Sequence, residues 1–495
     1  MIDAQERVAS FLSRPEQGLL INGEWLASRS GKTQNVVNPS DGTSLGRIAS
    51  GDAADIDAAV SAARKAFPSW ASKAPGFREE VLRRFATAIM DHAEELARLE
   101  SSENGKPYGH TLPIDAPVCG RNMMHASALP SRILGETIPV SIPGMFVYTR
   151  REPLGVIGII TPWNYPLIHF SQKVGPAIAA GNCVVLKPAS LASLTIVRLG
   201  ELALEAGMPV GVLNIVTGSG SSAGSALASH PGVNKVQFTG STAVGKSIIK
   251  SAAENVKRVT LELGSKAPNL IFADADLEKA AEGAFLAAFA NSGQSCVAGS
   301  RLYVEESIFD DFVARVVDRA GRTRVGHALE GGTELGPIVD RNQFEAVMGY
   351  IARGKEEGRV LCGGEALHSP AVPSGGFYIA PTVFAGIDDD STLSRDEIFG
   401  PVVCVYPFKG EEEVVARANA TQYGLAAGLW TTDIARATRV SASLEAGVVW
   451  INVYDRFSPN VPFGGFKESG YGRDNGTASV EAVTEIKSVW VNANR

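Results

Sequence analysis

The run from Pro153 to Trp163, PLGVIGIITPW, decides the fold class. It is apolar and β-branched, and it breaks on Gly and Pro after too few residues for a membrane span, which needs about 18–20 uncharged apolar residues. That leaves a buried strand. Similar short runs follow: NCVVLKP, GVLNIVTG, NKVQFTGS and RVTLEL, with helix-like segments such as SLTIVRLGELALEAG and GKSIIKSAAENV between some of them. Buried strands alternating with helices imply a parallel, doubly wound sheet. A second series begins at NLIFADAD and continues through SRLYVEE, RVLCGGE, VVCVYPF and AGLWTT, so two α/β domains are expected.

Upstream, DAADIDAAVSAARKAFPSW is an Ala-rich amphipathic stretch that Pro68 is expected to close. FREEVLRRFATAIMDHAEELARLESSENGKP reads as one further helix, stopped at Asn104 and Gly105. Between these helices and the first sheet lies LPSRILGETIPVSIPGMFVYTRRE. It has strand composition and reads as an edge hairpin, able to pair with the terminal VTEIKSVWVN or with a neighbouring subunit.

Bulk composition agrees with a multidomain globular chain. The 495 residues exceed one ordinary core, and hydrophobic content is 45% against 20% charged. A formal charge of −7 argues against a nucleic-acid backbone binder. The N-terminal MIDAQERVASFLSRPEQG lacks the apolar stretch of a secretory signal, so a cytoplasmic protein without membrane partners is expected. Cys119, Cys183, Cys296, Cys362 and Cys404 are widely spaced, with no CxxC pair. Neither a disulfide framework nor a metal site is expected from them.

Several motifs carry groups suited to chemistry. In FTGSTAVGKSI, Phe238 to Ile248, Gly240 and Gly245 would let a phosphate approach a helix N-terminus; an ordinary strand–helix turn has the same look. Lys187, in LKPAS, sits where doubly wound sheets present residues to a ligand crevice, or is simply solvated. Asn164, in TPWNYP, is either a turn residue or an amide donor for an oxyanion. Glu262 in LELGS and Glu397 in DEIFGP each read as a perturbed carboxylate or an exposed strand-end acid. Cys296, among the small residues of NSGQSCVAGSR, completes a set: thiol, amide donor, carboxylate base and dinucleotide-type turn. Thiolate attack on an aldehyde, hydride departure and thioester hydrolysis need that set.

From INGEW at Ile21–Trp25 to PFGGFKESGYGR at Pro462–Arg473, the order of TPWNYP, KPAS, FTGSTAVG, LELGSKAPN, GQSC, EIFGP and PFGGFKESG resembles the aldehyde dehydrogenase superfamily. The resemblance implies an α/β fold of two doubly wound domains with a small β oligomerisation flap. Residues 1–130 and 151–262 would form the dinucleotide-binding domain, 263–468 the catalytic domain, and 131–150 with 469–495 the flap and C-terminal strand. It implies NAD or NADP as cofactor, a small aldehyde as substrate, and a homodimer or homotetramer.

It also assigns roles. Cys296 would be the nucleophile, Asn164 the oxyanion donor with the backbone N–H of Cys296, Glu262 the general base, and Lys173 a support for proton relay. Lys187 would contact the adenosine ribose, Gly240 and Ser241 the pyrophosphate, and Glu397 the nicotinamide ribose with Phe399 beside it. Thr161, Pro162, Trp163, Ser190, Gly220, Phe238, Val244 and Leu263 complete the cofactor set. Tyr165, His169, Gln172, Ser295, Val297, Phe457 and Phe463 would line the aldehyde tunnel.

An ordinary thiol titrates near ~8.5, so dipoles at a helix N-terminus, or Glu262 acting through water, are expected to raise the reactive fraction of Cys296. Three positions depart from the family pattern. Ser190 stands where NAD-specific members often carry a Glu that repels a 2′-phosphate, so acceptance of NADP is expected. Ser265 replaces the second Gly of LELGG beside the general base, and Asp474 stands where some relatives relay protons through Glu. Phe463 replaces a Trp common in betaine-aldehyde enzymes, which weakens a quaternary-ammonium substrate. Two rival functions remain. A CoA-acylating enzyme would generally lack the base, and a silent binding member would not need Cys296, Asn164 and Glu262 together.

Overall fold

The computed structural model describes residues 3–368 and 372–492. Five parallel strands form the centre of the first sheet: β1 (Val156–Ile160), β2 (Cys183–Lys187), β3 (Leu213–Ile215), β4 (Lys235–Thr239) and β5 (Arg258–Glu262). Their spatial order is β5-β4-β1-β2-β3, so the chain winds outward in both directions from β1. Leu19–Ile21 and Glu24–Leu26 extend one edge antiparallel, and Gly470–Tyr471 pairs antiparallel with β5 at the other. Every residue of β1, β2 and β4 is buried, which accounts for their near-continuous apolar sequence.

Six parallel strands build the second sheet: β6 (Pro268–Ile271), β7 (Arg301–Glu305), β8 (Thr382–Ala385), β9 (Val402–Phe408), β10 (Ala426–Trp430) and β11 (Val448–Ile451). They lie in the order β8-β9-β7-β6-β10-β11, with Arg359–Cys362 antiparallel on the β8 edge. The flanking segment forms a third, antiparallel sheet. Thr137–Ile138 and Met145–Pro153 make the hairpin, and Thr484–Asn492 of the same chain pairs along it from Thr484↔Pro153 to Asn492↔Met145.

Two helix boundaries differ from the sequence expectation. The helix Ala53–Ala71 runs through Pro68. Proline removes the donor that would bond the carbonyl four residues back, that of Arg64; both residues are exposed, so water replaces the lost partner. The expected single helix after it is two, Pro75–Asp91 and Ala93–Asn104, divided at His92, whose ψ of 17° leaves the helical range. The stop at Gly105 is as expected, with a left-handed φ of +82° that glycine adopts without a Cβ penalty.

Among the described residues no helix is long and apolar enough to cross a membrane. Nor is there a cluster of three or more His, Cys, Asp or Glu side chains placed to hold a metal ion.

Candidate active site

Strand register brings several polar residues to one edge. Ile160 lies opposite Lys187 on one side and Phe238 on the other, and Thr239 lies opposite Glu262. All are at carboxyl ends of parallel strands, where doubly wound sheets bind ligands. The facing wall comes from segments that lead into the second sheet: Lys266 before β6, Cys296 before β7 and Glu397 before β9. Direct contacts close the crevice. The Asn164 amide donates to the Gln294 carbonyl (3.1 Å), the Ser265 N–H donates to the Glu397 carboxylate (3.0 Å), and Trp163 meets Phe399 edge-on at 5.4 Å.

Cys296 is half-buried in a turn that follows helix α1 (Leu277–Phe289). No helix starts there, so the helix N-terminus expected to acidify the thiol is not at this position. Burial pushes the thiol up from its ordinary range, and the carboxylates of Glu397, Glu262 and Asp455 push it further. The preceding loop is held in a costly conformation: Asn291, Ser292 and Gly293 all have positive φ, of 52°, 55° and 69°. Only glycine fits at 293, because a Cβ would stand 2.0 Å from the Gly400 carbonyl. Side chains pin the loop. Ser292 donates to the Gly336 carbonyl (2.7 Å), and Gln294 donates to Asn291 while accepting from the Val339 N–H. Phe399, also at positive φ, is fixed by Gln343, which donates to the carbonyls of Ile398 and Phe399.

Asn164 is 2% exposed. Its bond to Gln294 uses one amide hydrogen and fixes which end of the side chain is the NH2; the second hydrogen remains for a ligand. Glu262 is 3% exposed, and neither carboxylate oxygen has a hydrogen-bond partner among the described residues. Burial raises its pKa well above the carboxylate range, the charge of Asp474 adds to that, and Lys173 and Arg473 oppose it. One carboxylate oxygen lies where a Cβ at Gly464 would come within 2.6 Å, so glycine there leaves room for Glu262. Lys173 is fully buried and donates to Asp474 at 2.6 Å, across 301 residues of sequence. Asp474 in turn exchanges backbone hydrogen bonds with Phe463, tying the ion pair to that segment.

The cofactor-side residues fit a dinucleotide. Lys187 is 4% exposed with no hydrogen-bond partner among the described residues; burial lowers its pKa to about 8. Such an unpaired buried cation is stabilised by a ligand that brings hydroxyls or negative charge. Ser190 donates to the Gly218 carbonyl (2.9 Å) beside it, and Gly220 opens onto free space. Ser241 caps helix α2 (Thr242–Ala252) by accepting from the Val244 N–H, leaving the first turn of that helix open to an anion. A Cβ at Gly240 would strike the Phe238 ring at 2.4 Å, and one at Gly245 would strike Leu263 at 2.7 Å, so glycine permits the close turn and the helix–strand packing. The Thr161 hydroxyl is buried without a partner among the described residues, next to Pro162 and Trp163. Glu397 is pushed up to about 7 by burial, against the Ser265 N–H and Lys266.

With that geometry in place, comparison with known proteins is direct. The sequence profile of the aldehyde dehydrogenase family matches residues 25–489. The chain belongs to the aldehyde dehydrogenase family. It is 47% identical to aldehyde dehydrogenase family 2 member B4, mitochondrial, of Arabidopsis thaliana, over 99% of this chain and 91% of that one. It is 45% identical to the human mitochondrial aldehyde dehydrogenase, over 96% and 91% of the two chains. The solved NAD+ complex of an aldehyde dehydrogenase from Bacillus cereus is similar at a TM-score of 0.96 and 44% identity, covering 98% of each chain. As an aldehyde dehydrogenase, this protein oxidises an aldehyde to a carboxylic acid with NAD or NADP, on the fold expected from sequence.

His169 and Gln172 lie on helix Pro166–Ala179 with Tyr165 in the turn before it, whereas Ser295 and Val297 bracket Cys296. Phe457 and Phe463 meet edge-to-face at 5.4 Å. Sequence reasoning missed Lys106. It is fully buried, ion-paired with Glu100 and Asp115, and its ammonium lies 3.6 Å from the centre of the Tyr165 ring. A charged residue directly after a helix-stopping Gly reads as solvated, so nothing in NGKPY marked it as interior. Arg456 is exposed, in keeping with a surface charge.

Proposed function

We propose that Cys296 is the nucleophile of this aldehyde dehydrogenase and that Glu262 activates the hydrolytic water. The observation that carries this is the convergence of a thiol, an amide with a free N–H and an unpaired buried carboxylate on one crevice. Cys296 gives its thiol proton to water as Sγ adds to the aldehyde carbon, and the resulting oxyanion is held by Asn164 and the Cys296 backbone N–H. Bound NAD(P)+ supplies the hydride acceptor. Collapse of the tetrahedral adduct leaves a thioester on Cys296, whose carbonyl uses the same oxyanion donors. Glu262 then takes a proton from water as its oxygen attacks the thioester, the C–S bond breaks, and the acid leaves with Cys296 restored. Lys173 and Asp474 hold charge near Glu262 and offer the abstracted proton a route onward. Asn164→Ala is expected to lower kcat about 10²–10³-fold, the cost of removing one oxyanion donor, with little change in thermal stability. A test of the whole reading is a panel of aliphatic, aromatic, amino- and semialdehydes, scored by NAD(P)H formation and by product. Acyl-CoA formed in preference to free acid would favour the acylating alternative, against which the presence of Glu262 stands.

In this reading Lys187 and Ser190 hold the adenosine ribose, Gly240 and Ser241 face the pyrophosphate, and Gly220, Phe238, Val244 and Leu263 complete the cofactor set. Glu397 and Phe399, facing Thr161, Pro162 and Trp163, take the nicotinamide ribose. The division into 1–130 with 151–262, 263–468, and the flap of 131–150 with 469–495 belongs to the same proposal. With Ser190 neutral and Lys187 unpaired, a 2′-phosphate meets no acid, so measurable kcat/KM with NADP is expected. Ser190→Glu should lower NADP activity relative to NAD by about 10²-fold or more, since like charges placed together cost several kcal/mol. Undetectable NADP activity in the wild type would remove this argument.

The three-stranded sheet exposes Ile486 and Trp490 on one face and Phe146 on the other, which supports assembly into a homodimer or homotetramer. A cytoplasmic location is part of the proposal, supported by five cysteines that are all free thiols among the described residues. The partner is then a small aldehyde, with neither nucleic acid nor membrane involved.

A further inference from the structure

The walls around Cys296 say more about the aldehyde than its carbonyl does. On one side Cys296 packs against an apolar cluster that includes Val297, Trp450, Tyr454 and Phe463. Phe457 extends that wall outward, 5.6 Å from Trp450 and 5.4 Å from Phe463, ring centre to ring centre. Rings presented in this way match a flat apolar body. On the other side the Tyr165 ring meets His169 edge-on at 6.5 Å. His169 is 7% exposed, and neither ring nitrogen has a hydrogen-bond partner among the described residues. Gln172, three residues along the same helix, is buried to the same degree. Buried polar groups are nearly always paired, so the His169 imidazole is short of a partner.

Charge narrows what that partner is. Burial, then the ammonium groups of Lys173 and Lys106, hold His169 well below its usual range, so the imidazole is neutral and offers one donor and one acceptor. A cationic tail would find the carboxylates beside Lys173 and Lys106, those of Asp474, Glu100 and Asp115, already ion-paired. An anionic tail would meet Asp455, whose charge is felt at Tyr165, Tyr454 and Cys296. A hydroxyl is itself donor and acceptor, and it satisfies a neutral imidazole without adding charge.

We propose that His169, with Gln172, is the binding point for a neutral hydroxyl on the substrate, selecting an uncharged aldehyde with an aromatic body. This rests on Cys296 being the atom that attacks the carbonyl. The test compares kcat/KM for 4-hydroxyphenylacetaldehyde and phenylacetaldehyde, in which a methylene insulates the carbonyl from the ring substituent. 4-Aminobutanal and 4-oxobutanoate serve as charged counterparts. The hydroxylated aldehyde is expected to lead its deoxy partner by about tenfold or more, one hydrogen bond with the matching group otherwise left unpaired. His169→Leu should bring that ratio to about one, and His169→Asn, which keeps a donor and an acceptor, should restore part of it. Equal rates for the two aromatic aldehydes in the wild type overturn the proposal, as does a charged aldehyde outrunning both, or a ratio unmoved by His169→Leu. If the wild type oxidises other aldehydes but shows no preference here, only the hydroxyl site fails. If Cys296→Ala still turns over aldehyde, the underlying reading fails first.

Discussion

Replacing Cys296 by alanine abolishes aldehyde-dependent NAD(P)H formation while leaving the fold and cofactor binding in place. The loss expected is more than about 10⁴-fold, the scale on which enzymes with an acyl intermediate depend on their covalent nucleophile. Truncating a half-buried thiol to a methyl in a turn removes little packing, so the thermal unfolding midpoint should move by a few degrees at most. Cofactor binding, followed by quenching of protein fluorescence, supplies the control. Retained turnover in a variant that binds cofactor normally would assign the chemistry elsewhere. The pinned loop explains why no other thiol substitutes. Cys119, Cys183 and Cys404 are buried in strands or helices, and Cys362 lies on the Arg359–Cys362 edge strand of the second sheet.

Glu262→Gln is the second large effect, and it separates the two halves of the reaction. Hydride transfer does not need the base, so one equivalent of NAD(P)H per site should form rapidly. Thioester hydrolysis does need it, and steady-state kcat should fall about 10²–10⁴-fold. Rapid-mixing kinetics distinguish these: a burst followed by a stalled phase supports the assignment, and a uniformly slowed trace opposes it. The pH dependence has a definite sign. The folded pKa of Glu262 is raised, so the wild-type steady-state rate should climb as pH passes above the ordinary carboxylate range and the base ionises. Stability runs the other way. The folded state binds the proton more tightly than the unfolded chain, so this group costs stability as pH rises from the unfolded pKa toward the raised one. Glu262→Gln should flatten both slopes.

Lys106 shows why buried charge escaped sequence reading. Its local context, after Asn104 and Gly105, is that of an exposed loop. Yet it is interior, because Glu100 and Asp115, six and nine residues away, fold around it and leave its ammonium against Tyr165. The desolvation of one partner is offset only if all three arrive together, a condition set by helix packing. Lys173 and Asp474 make the same point over a longer span. The resemblance marked both as relay positions without pairing them, and their 2.6 Å contact exists because the segment 463–474 returns along the edge of the first sheet.

Sequence alone determined that two parallel sheets are present, since strands buried on both faces are continuously apolar; it left out Thr382–Ala385 and Val448–Ile451, and Arg359–Cys362, expected in the second series, is antiparallel. It also named the candidate thiol, amide and carboxylate, because ordered motifs name residue types directly. Helix boundaries were less legible: Pro68 and His92 are governed by whether a single lost hydrogen bond faces water, which pattern does not reveal. Only the tertiary structure decided the electrical state of the site. A pKa depends on burial and on charges within a few ångströms, and the groups around Cys296 come from segments hundreds of residues apart. The unpaired nitrogens of His169 belong to the same class of fact, since a missing partner is a property of the space around a side chain.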